Sequence, residues 1–133
     1  MNKEISIVST IKPYPGDTYE TYAYAPNGEE VGRLIILICH NHPDITTFQV
    51  QQLQVKEKFR NQGIAKNMFT DVEKMLDKSS GNYIYVRPNS EPYEGESPID
   101  TVTLYTIYEA LDFHLDNPNT LRSDANHLMI KKL

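Results

Sequence analysis

A stretch near the middle of the chain carries residue types that bind phosphate. Gly63 allows a close backbone approach to an anion and adopts dihedral angles that other residues avoid, while Arg60 and Lys66 supply cationic donors. The first amides of the helix predicted to follow have no intrahelical acceptors, and the peptide dipoles add partial positive charge at that end. Phosphate groups bind at such helix ends. The candidate phosphate-binding residues are Arg60, Asn61, Gln62, Gly63, Ile64, Ala65 and Lys66.

A strand and a helix must hold this stretch in place. Before it, residues 46–55 are rich in β-forming residues, and the alternation of their side chains slips between Val50 and Leu53, as at a β-bulge. After it, apolar residues recur at helical spacing and predict a helix with one buried face, which ends at Gly81 and Asn82. The apolar residues of this helix are Ile64, Met68, Val72, Met75 and Leu76.

Three further strands are predicted before this unit, at residues 5–11, 19–25 and 31–39. Asn27 followed by Gly28 is a strong hairpin signal, so we expect the second and third strands to pair antiparallel. Residues 40–44 predict the turn that leads into the fourth strand.

The second half of the chain alternates strands and helices. Residues 83–86 predict a strand that runs parallel to the strand at 46–55, because a helical crossover separates the two. Ser97 and Pro98 predict the cap and first residue of a second helix. Two closing strands follow, at residues 113–115 and 127–130.

The composition is that of one globular domain spanning residues 1–133, with 39% hydrophobic and 23% charged residues. The formal net charge of −5 argues against a nucleic-acid binder that works through a broad basic face. No apolar run is long enough to cross a bilayer, and the start of the chain lacks a signal-peptide pattern, so we expect a cytoplasmic protein without a membrane partner. The single cysteine, Cys39, excludes an internal disulfide, and no metal site is predicted.

Residues 53–65 resemble the acyl-CoA signature of the GCN5-related N-acetyltransferases (GNATs), in which a strand and a short turn lead to Arg/Gln-x-x-Gly-x-Gly/Ala. The order of strands and helices is similar to that family along nearly the whole chain. The resemblance implies the α/β (α+β) GNAT fold: a mixed, mostly antiparallel sheet with a parallel central pair and flanking helices. It also implies acetyl-CoA as acyl donor, with the backbone of Leu53 and Val55 pairing with pantetheine and the amides from Asn61 to Lys66 holding the pyrophosphate.

A second segment, residues 105–113, resembles the family pattern Asn-x-x-Ala-x-x-Leu-Tyr-x-x-x-Gly-Phe. Tyr108 falls on the pattern's tyrosine, which implies a general acid that protonates the departing CoA sulfur. The alternative for Tyr108 is packing in the helix interface. Thr101, Leu104 and Asp112 stand where the pattern has asparagine, alanine and glycine, and Thr101 can still offer a hydroxyl to a cofactor amide.

The implied activity is that of an acetyl-CoA-dependent N-acetyltransferase, which moves an acetyl group to a primary amine of a small molecule or protein by direct attack on the thioester. The departures from the pattern leave open a catalytically degenerate acyl-CoA-binding or protein-interaction module of the same fold. The choice between acetyl and longer acyl groups stays open as well.

The general base and the acceptor site are less defined. The strand before the phosphate-binding stretch contains no carboxylate or histidine, and its glutamines are not useful bases. The candidates for the general base are therefore His40, His42, Asp44 or a water chain. The connection over residues 12–18 is too short for the covering helices common in the family. It therefore predicts an open acceptor site, or one completed by a second subunit in a homodimer.

Overall fold

A computed structural model of the protein describes residues 4–12, 18–42, 45–76, 83–115 and 128–133. Seven strands form one mixed sheet in the order β1-β2-β3-β4-β5-β7-β6. In this part of the chain β4 and β5 are parallel, and every other neighbouring pair is antiparallel. The elements are β1 (Ser6–Lys12), β2 (Thr18–Tyr24), β3 (Glu30–His42), β4 (Ile45–Val55), α1 (Ile64–Glu73), β5 (Tyr83–Val86), α2 (Thr101–Ala110), β6 (His114–Leu115) and β7 (Met129–Lys132).

One face of the sheet is buried against α1. Side chains of alternating residues in β2, β3 and β4 point to this face and are less than a tenth exposed, namely Tyr19, Ala23, Leu34, Ile36, Phe48 and Val50. Ile64, Met68, Phe69 and Val72 of α1 are buried in the same core. Full burial of a side chain of this kind contributes about 1.5–3 kcal/mol. This apolar contact is therefore the main force that holds α1 on the sheet.

Gly32 of β3 lets the start of α1 lie close to the sheet. A Cβ at this position would be 3.1 Å from Met68 Cε and 3.2 Å from Ile64 Cγ2, which is tighter than ordinary van der Waals contact. Because Ile64 is the first residue of α1, Gly32 fixes the position of the helix end that carries the candidate phosphate site.

Two polar contacts fasten α1 to strands on either side. Ser9 of β1 donates a 2.6 Å hydrogen bond to the Asp71 carboxylate, and its oxygen also lies 2.7 Å from the hydroxyl oxygen of the fully buried Thr21. Lys131 of β7 pairs with Glu73 at 2.7 Å. Since both side chains of this pair are mostly buried, salt screens the pair less than it would an exposed one.

Most predicted elements are confirmed with small shifts. The hairpin at Asn27 and Gly28 is present, with Gly28 at φ +87°. The predicted bulge is confirmed, because Ile35 pairs with Gln52 whereas Ile36 pairs with Val50. The strand at 83–86 has the predicted bounds and is parallel to β4.

Other bounds differ from the predictions. The third strand is longer than predicted and reaches His42, so the predicted turn at 40–44 is wrong in part. The first helix ends at Glu73, and its predicted end at Gly81 lies outside the described residues. The last strand begins at Met129, and residue 127 is also outside the described part.

The predicted start of the second helix is wrong. The helix begins at Thr101, and its N-cap is Asp100, whose carboxylate accepts hydrogen bonds from the amide and hydroxyl of Thr103, both at 2.9 Å. These bonds lower the pKa of the Asp100 carboxyl. The amide of Ile99 donates instead to the Ser90 hydroxyl at 2.8 Å. This contact across the preceding loop keeps Pro98 and Ile99 out of the helix.

Candidate functional site

The parallel strands β4 and β5 separate shortly after they meet. In the described part of the chain they pair at Phe48 with Ile84 and at Gln49 with Tyr85. β4 then continues to Val55, paired with β3 on its other side. Leu53 and Val55, both predicted to contact a cofactor, lie in this section, so their strand is unpaired toward β5. We call the resulting gap the β4–β5 cleft.

The turn at residues 60–63 joins β4 to α1 at the same end of the sheet. Asn61 and Gly63 both have left-handed backbone conformations, with φ of 63° and 77°. Gly63 is the N-cap of α1, and no side chain caps the helix. The Asn67 amide donates to the Gly63 carbonyl at 2.9 Å, so the amides of Ile64, Ala65 and Lys66 precede the helical ladder.

The space in front of this turn is open. A Cβ on Gly63 would meet no atom within 4 Å. Asn61, Gly63 and Lys66 are exposed, and the first turn of α1 contains no acidic residue. The helix end is therefore accessible to an anion and has the electrostatic character that favours one.

Arg60 points away from this helix end. Its Nε donates to the Val55 carbonyl at 3.0 Å, and its guanidinium lies 3.4 Å from the Glu96 carboxylate. Glu96 also accepts a hydrogen bond from the Glu57 amide at 3.0 Å. The structure therefore places the predicted Arg60 at the end of the β4–β5 cleft, where it holds the loop that carries Glu96.

This loop, residues 87–100, connects β5 to α2 and covers the cleft; we call it the β5–α2 loop. The side-chain amide of Gln54 donates to the Glu91 carbonyl and so bridges the gap between β4 and the loop. A cavity of about 30 Å³ remains beneath, lined by Leu53, Gln54, Val55, Arg60, Glu91 and Leu104 among others. The cleft is present but narrow.

Tyr108 lies on α2 with only 4% of its surface exposed. Its ring packs edge-on against Phe113, with centroids 5.4 Å apart. Among the described residues, none forms a hydrogen bond with its hydroxyl. Burial raises the pKa of the Tyr108 phenol, and the negative charge of Glu91 raises it further. The phenol therefore stays protonated at neutral pH and can donate a hydrogen bond or a proton.

The C-terminal end of α2 fixes Tyr108 through a Schellman motif. The Phe113 amide donates to the Tyr108 carbonyl, and the Asp112 amide donates to the Glu109 carbonyl, both at 3.0 Å. Asp112 occupies the left-handed position of this motif with φ 72°. Asp112 stands where the resembled pattern has glycine, and the turn forms nevertheless. The aspartate carries backbone strain that glycine would avoid.

Thr101 and Leu104 lie near the start of α2. Thr101 is the first helical residue and is partly buried, but it does not line the cleft cavity. Leu104 does line the cavity, and it is bulkier than the alanine of the resembled pattern. The remaining predicted residues, Gln62 and Ala65, are partly buried within the turn and the first helical turn.

No protein family model and no curated protein matches the sequence. Solved structures do match it. Naa50 of Arabidopsis thaliana, bound to the bisubstrate analogue CoA-Ac-MVNAL, matches with a TM-score of 0.60 and 17% identity over 86% of this chain and 72% of its own. A GNAT-family acetyltransferase from Staphylococcus aureus Mu50 matches with a TM-score of 0.57 and 15% identity, over 86% of this chain and 67% of its own. The chain has the GNAT fold. PaiA N-acetyltransferase from Thermoplasma acidophilum, in complex with coenzyme A, matches with a TM-score of 0.59 and 18% identity. The match covers 89% of this chain and 62% of the PaiA chain.

In this GNAT fold, the sheet face opposite α1 carries polar and aromatic side chains. The Tyr22 hydroxyl donates to Glu20 at 2.6 Å, and burial together with this bond raises the pKa of Tyr22 to about 12. Arg33 lies over the Tyr22 ring and pairs with Glu30 at 3.0 Å. Tyr93 of the β5–α2 loop donates to the same Glu30 at 2.7 Å. These contacts tie the loop to the β2–β3 hairpin.

Sequence reasoning missed the contacts of this loop. Gln54 and Tyr93 have partners 37 and 63 residues away, and no local pattern signals such bonds. Glu91 lies close in sequence to Glu94 and Glu96, and nothing in their neighbourhood distinguishes it from these two. The side chains of His40, His42 and Asp44, the candidate bases, lie outside the described part.

Within the described ranges, no three histidine, cysteine, aspartate or glutamate side chains come together as a metal site would require. The described helices include none with the length and apolar character needed to cross a membrane.

Proposed function

We propose that this protein is an acetyl-CoA-dependent N-acetyltransferase that acetylates a primary amine of a small molecule or protein. The observation that carries the proposal is the separation of β4 from β5 at the sheet end where α1 begins uncapped. An elongated ligand with a pyrophosphate at one end fits these two features together. Two solved structures of the same fold hold coenzyme A or an analogue that contains it.

The binding roles follow from the positions of the residues. The amides from Asn61 to Lys66 would hold the pyrophosphate, because they lie at an open, positively polarised helix end. The backbone of Leu53 and Val55 would pair with the amides of the pantetheine arm, as an additional strand would. The role of Thr101 follows from the family resemblance alone, because Thr101 does not line the cleft cavity; its hydroxyl would reach the same arm only after the loop shifts.

A groove of about 260 Å³ beside α1 suits the nucleotide end of the cofactor. Lys66, Thr70 and Lys74 line one wall, and Leu111 and Asp112 line another. Lys66 contributes to both this groove and the start of α1, so the groove begins beside the proposed pyrophosphate site. Lys66 and Lys74 are exposed and would attract phosphate on the ribose.

The β5–α2 loop must shift when the cofactor enters. The cavity of about 30 Å³ holds about one water molecule, which is far less than a pantetheine arm needs. The bond from Gln54 to the Glu91 carbonyl and the pair of Arg60 with Glu96 are the contacts that such a shift would break or rearrange.

The thioester supplies an activated acyl carbon and a thiolate leaving group. The chain contributes mainly position, since holding the amine beside this carbon replaces a bimolecular encounter. Amides of the unpaired section of β4 would stabilise the oxygen charge that develops. Tyr108, buried and protonated, would donate a proton to the departing sulfur. For the proton to pass completely from Tyr108 to the sulfur, the apolar surroundings must raise the pKa of the CoA thiol as they raise the pKa of the Tyr108 phenol.

Calorimetric titration with acetyl-CoA, followed by measurement of CoA-thiol release with a panel of amines and peptides, tests the proposal. Binding with amine-dependent release supports it. Binding without release favours the catalytically degenerate acyl-CoA-binding module. Two observations support that alternative: Leu104 adds bulk to the cleft, and Glu96 pairs with Arg60. Absence of binding would refute both and favour an interaction module that uses no cofactor.

A further inference from the structure

The three glutamates of the β5–α2 loop have different surroundings. Glu96 is engaged by Arg60 and the Glu57 amide, and Glu94 is exposed to solvent. Glu91 is partly buried and lines the cleft cavity. Its backbone carbonyl is held by Gln54, yet among the described residues none bonds or pairs with its carboxylate. Arg60 lines the same cavity but pairs with Glu96, so the Glu91 carboxylate is available to a ligand.

Glu91 also lies within electrostatic reach of the Tyr108 hydroxyl, because its charge contributes to the raised pKa of that phenol. The Tyr108 hydroxyl is itself buried and has no hydrogen-bond partner in the described chain. The Glu91 carboxylate, which lines the cleft cavity, and the buried Tyr108 hydroxyl thus both lack partners among the described residues. Buried polar groups without partners cost about 1–3 kcal/mol each, so such a pair is typical of a site that a ligand completes.

Other bases on the described surface of the cleft are absent or engaged. β4 contributes Gln54 to the lining of the cavity, and glutamine does not accept a proton near neutral pH. Glu96 is held by Arg60. Glu91 is the carboxylate that remains.

We propose, on the basis of the function proposed above, that Glu91 binds the cationic acceptor amine and takes the proton that its nitrogen loses. The bound ammonium first releases one proton to solvent, and the neutral nitrogen then forms a C–N bond to the acyl carbon while the C–S bond breaks. The nitrogen becomes acidic as this bond forms and passes its proton to Glu91. Tyr108 gives a proton to the sulfur, and solvent carries the proton from Glu91 back to Tyr108. Charge and protons therefore balance, and no other reactant is needed.

The test compares Glu91→Gln with Glu94→Gln in the full chain. Both variants remove one negative charge from the same loop, and Glu91→Gln keeps the backbone carbonyl that Gln54 holds. Acetyl-CoA affinity is measured by calorimetry, and CoA-thiol release is followed from pH 5 to 9 with ethylamine, spermidine and a short peptide with a free amino group. In CoA-loaded protein, the NMR shift of the Gln54 side-chain amide reports amine binding without turnover.

We expect Glu91→Gln to retain acetyl-CoA binding and to lower kcat about 100-fold, within the usual contribution of a general base. Spermidine should no longer shift the Gln54 signal. Glu94→Gln should behave as wild type. Equal turnover in wild type and Glu91→Gln would overturn the role of Glu91 while the transferase function stands. Absence of transfer by the wild type with every amine would overturn the proposed function, and the role of Glu91 with it.

Discussion

The proposed pyrophosphate site can be tested by placing a negative charge on it. Gly63 is the N-cap of α1, is exposed, and has room for a side chain, since a Cβ there would meet nothing within 4 Å. Gly63→Asp therefore adds a carboxylate at the helix end without a clash. The backbone at φ 77° costs a non-glycine residue about 1–2 kcal/mol, although aspartate and asparagine tolerate this region best.

The size of the electrostatic effect follows from the exposure of the site. A unit charge about 5 Å from a doubly charged pyrophosphate costs about 1.7 kcal/mol at the dielectric constant of water. Because about 1.36 kcal/mol corresponds to a tenfold change in equilibrium, Gly63→Asp should weaken CoA binding roughly 15- to 20-fold at low ionic strength. In about 1 M salt the Debye length falls to about 3 Å, so most of this loss should disappear.

Two control variants separate charge from backbone strain. Gly63→Asn has the same shape and a similar preference for the left-handed region but carries no charge. Gly28→Asp places the same charge and strain in the β2–β3 turn, where Gly28 has φ +87° and equally open surroundings. Calorimetric titration of all three with CoA, in low and high salt, should show the large loss for Gly63→Asp alone.

Two results would refute this reasoning. If Gly63→Asp and Gly63→Asn bind CoA equally, the charge does not face the cofactor. If Gly28→Asp loses as much affinity as Gly63→Asp, the effect comes from net charge or stability rather than from the turn.

Three further predictions concern the cleft and the end of α2. Tyr108→Phe should slow transfer about 100-fold with CoA affinity unchanged. Removal of the unpartnered hydroxyl should also stabilise the ligand-free protein by about 1 kcal/mol, measured by denaturant titration. Unchanged turnover would exclude Tyr108 as the acid. Asp112→Gly should raise the free energy of unfolding by about 1 kcal/mol because glycine adopts φ 72° without strain, and a loss of stability would mean that the Asp112 side chain stabilises the turn. Glu96→Gln should bind CoA several-fold more tightly, since it frees Arg60 and removes a charge near a polyanion; weaker binding by calorimetry would show that the loop contact helps to form the cleft.

The sequence predicted the elements whose signals are local. Asn27 and Gly28 determine a hairpin through their own backbone preferences, and the slip between Val50 and Leu53 is visible in the alternation of side chains. The parallel strand at Tyr83–Val86 follows from the helix that separates it from β4. In each case the decisive residues lie within a few positions of the feature.

Features set by distant contacts were not predictable. Ser97 and Pro98 predicted a helix start, but the helix begins later because the Ile99 amide bonds to the Ser90 hydroxyl. Local propensities do not describe such a bond. The closure of the β4–β5 cleft depends on Gln54 meeting Glu91, and a sequence pattern gives no sign of that pairing. The phosphate-binding turn lay in a recognisable motif, whereas Glu91 lay in a loop of ordinary acidic composition.

The short contact between β4 and β5 also has a consequence for the order in which the molecule opens. β1 to β4 pair with their neighbours in sequence, whereas β5 and β7 join them through two residue pairs in the described chain. Local pairing forms early and opens last, and regions with few connecting bonds exchange amide hydrogens through partial unfolding. We therefore expect the amides of β5 and β7 to exchange before those of β2 and β3. A ligand that spans the cleft would join the two sets of strands and make their exchange rates converge.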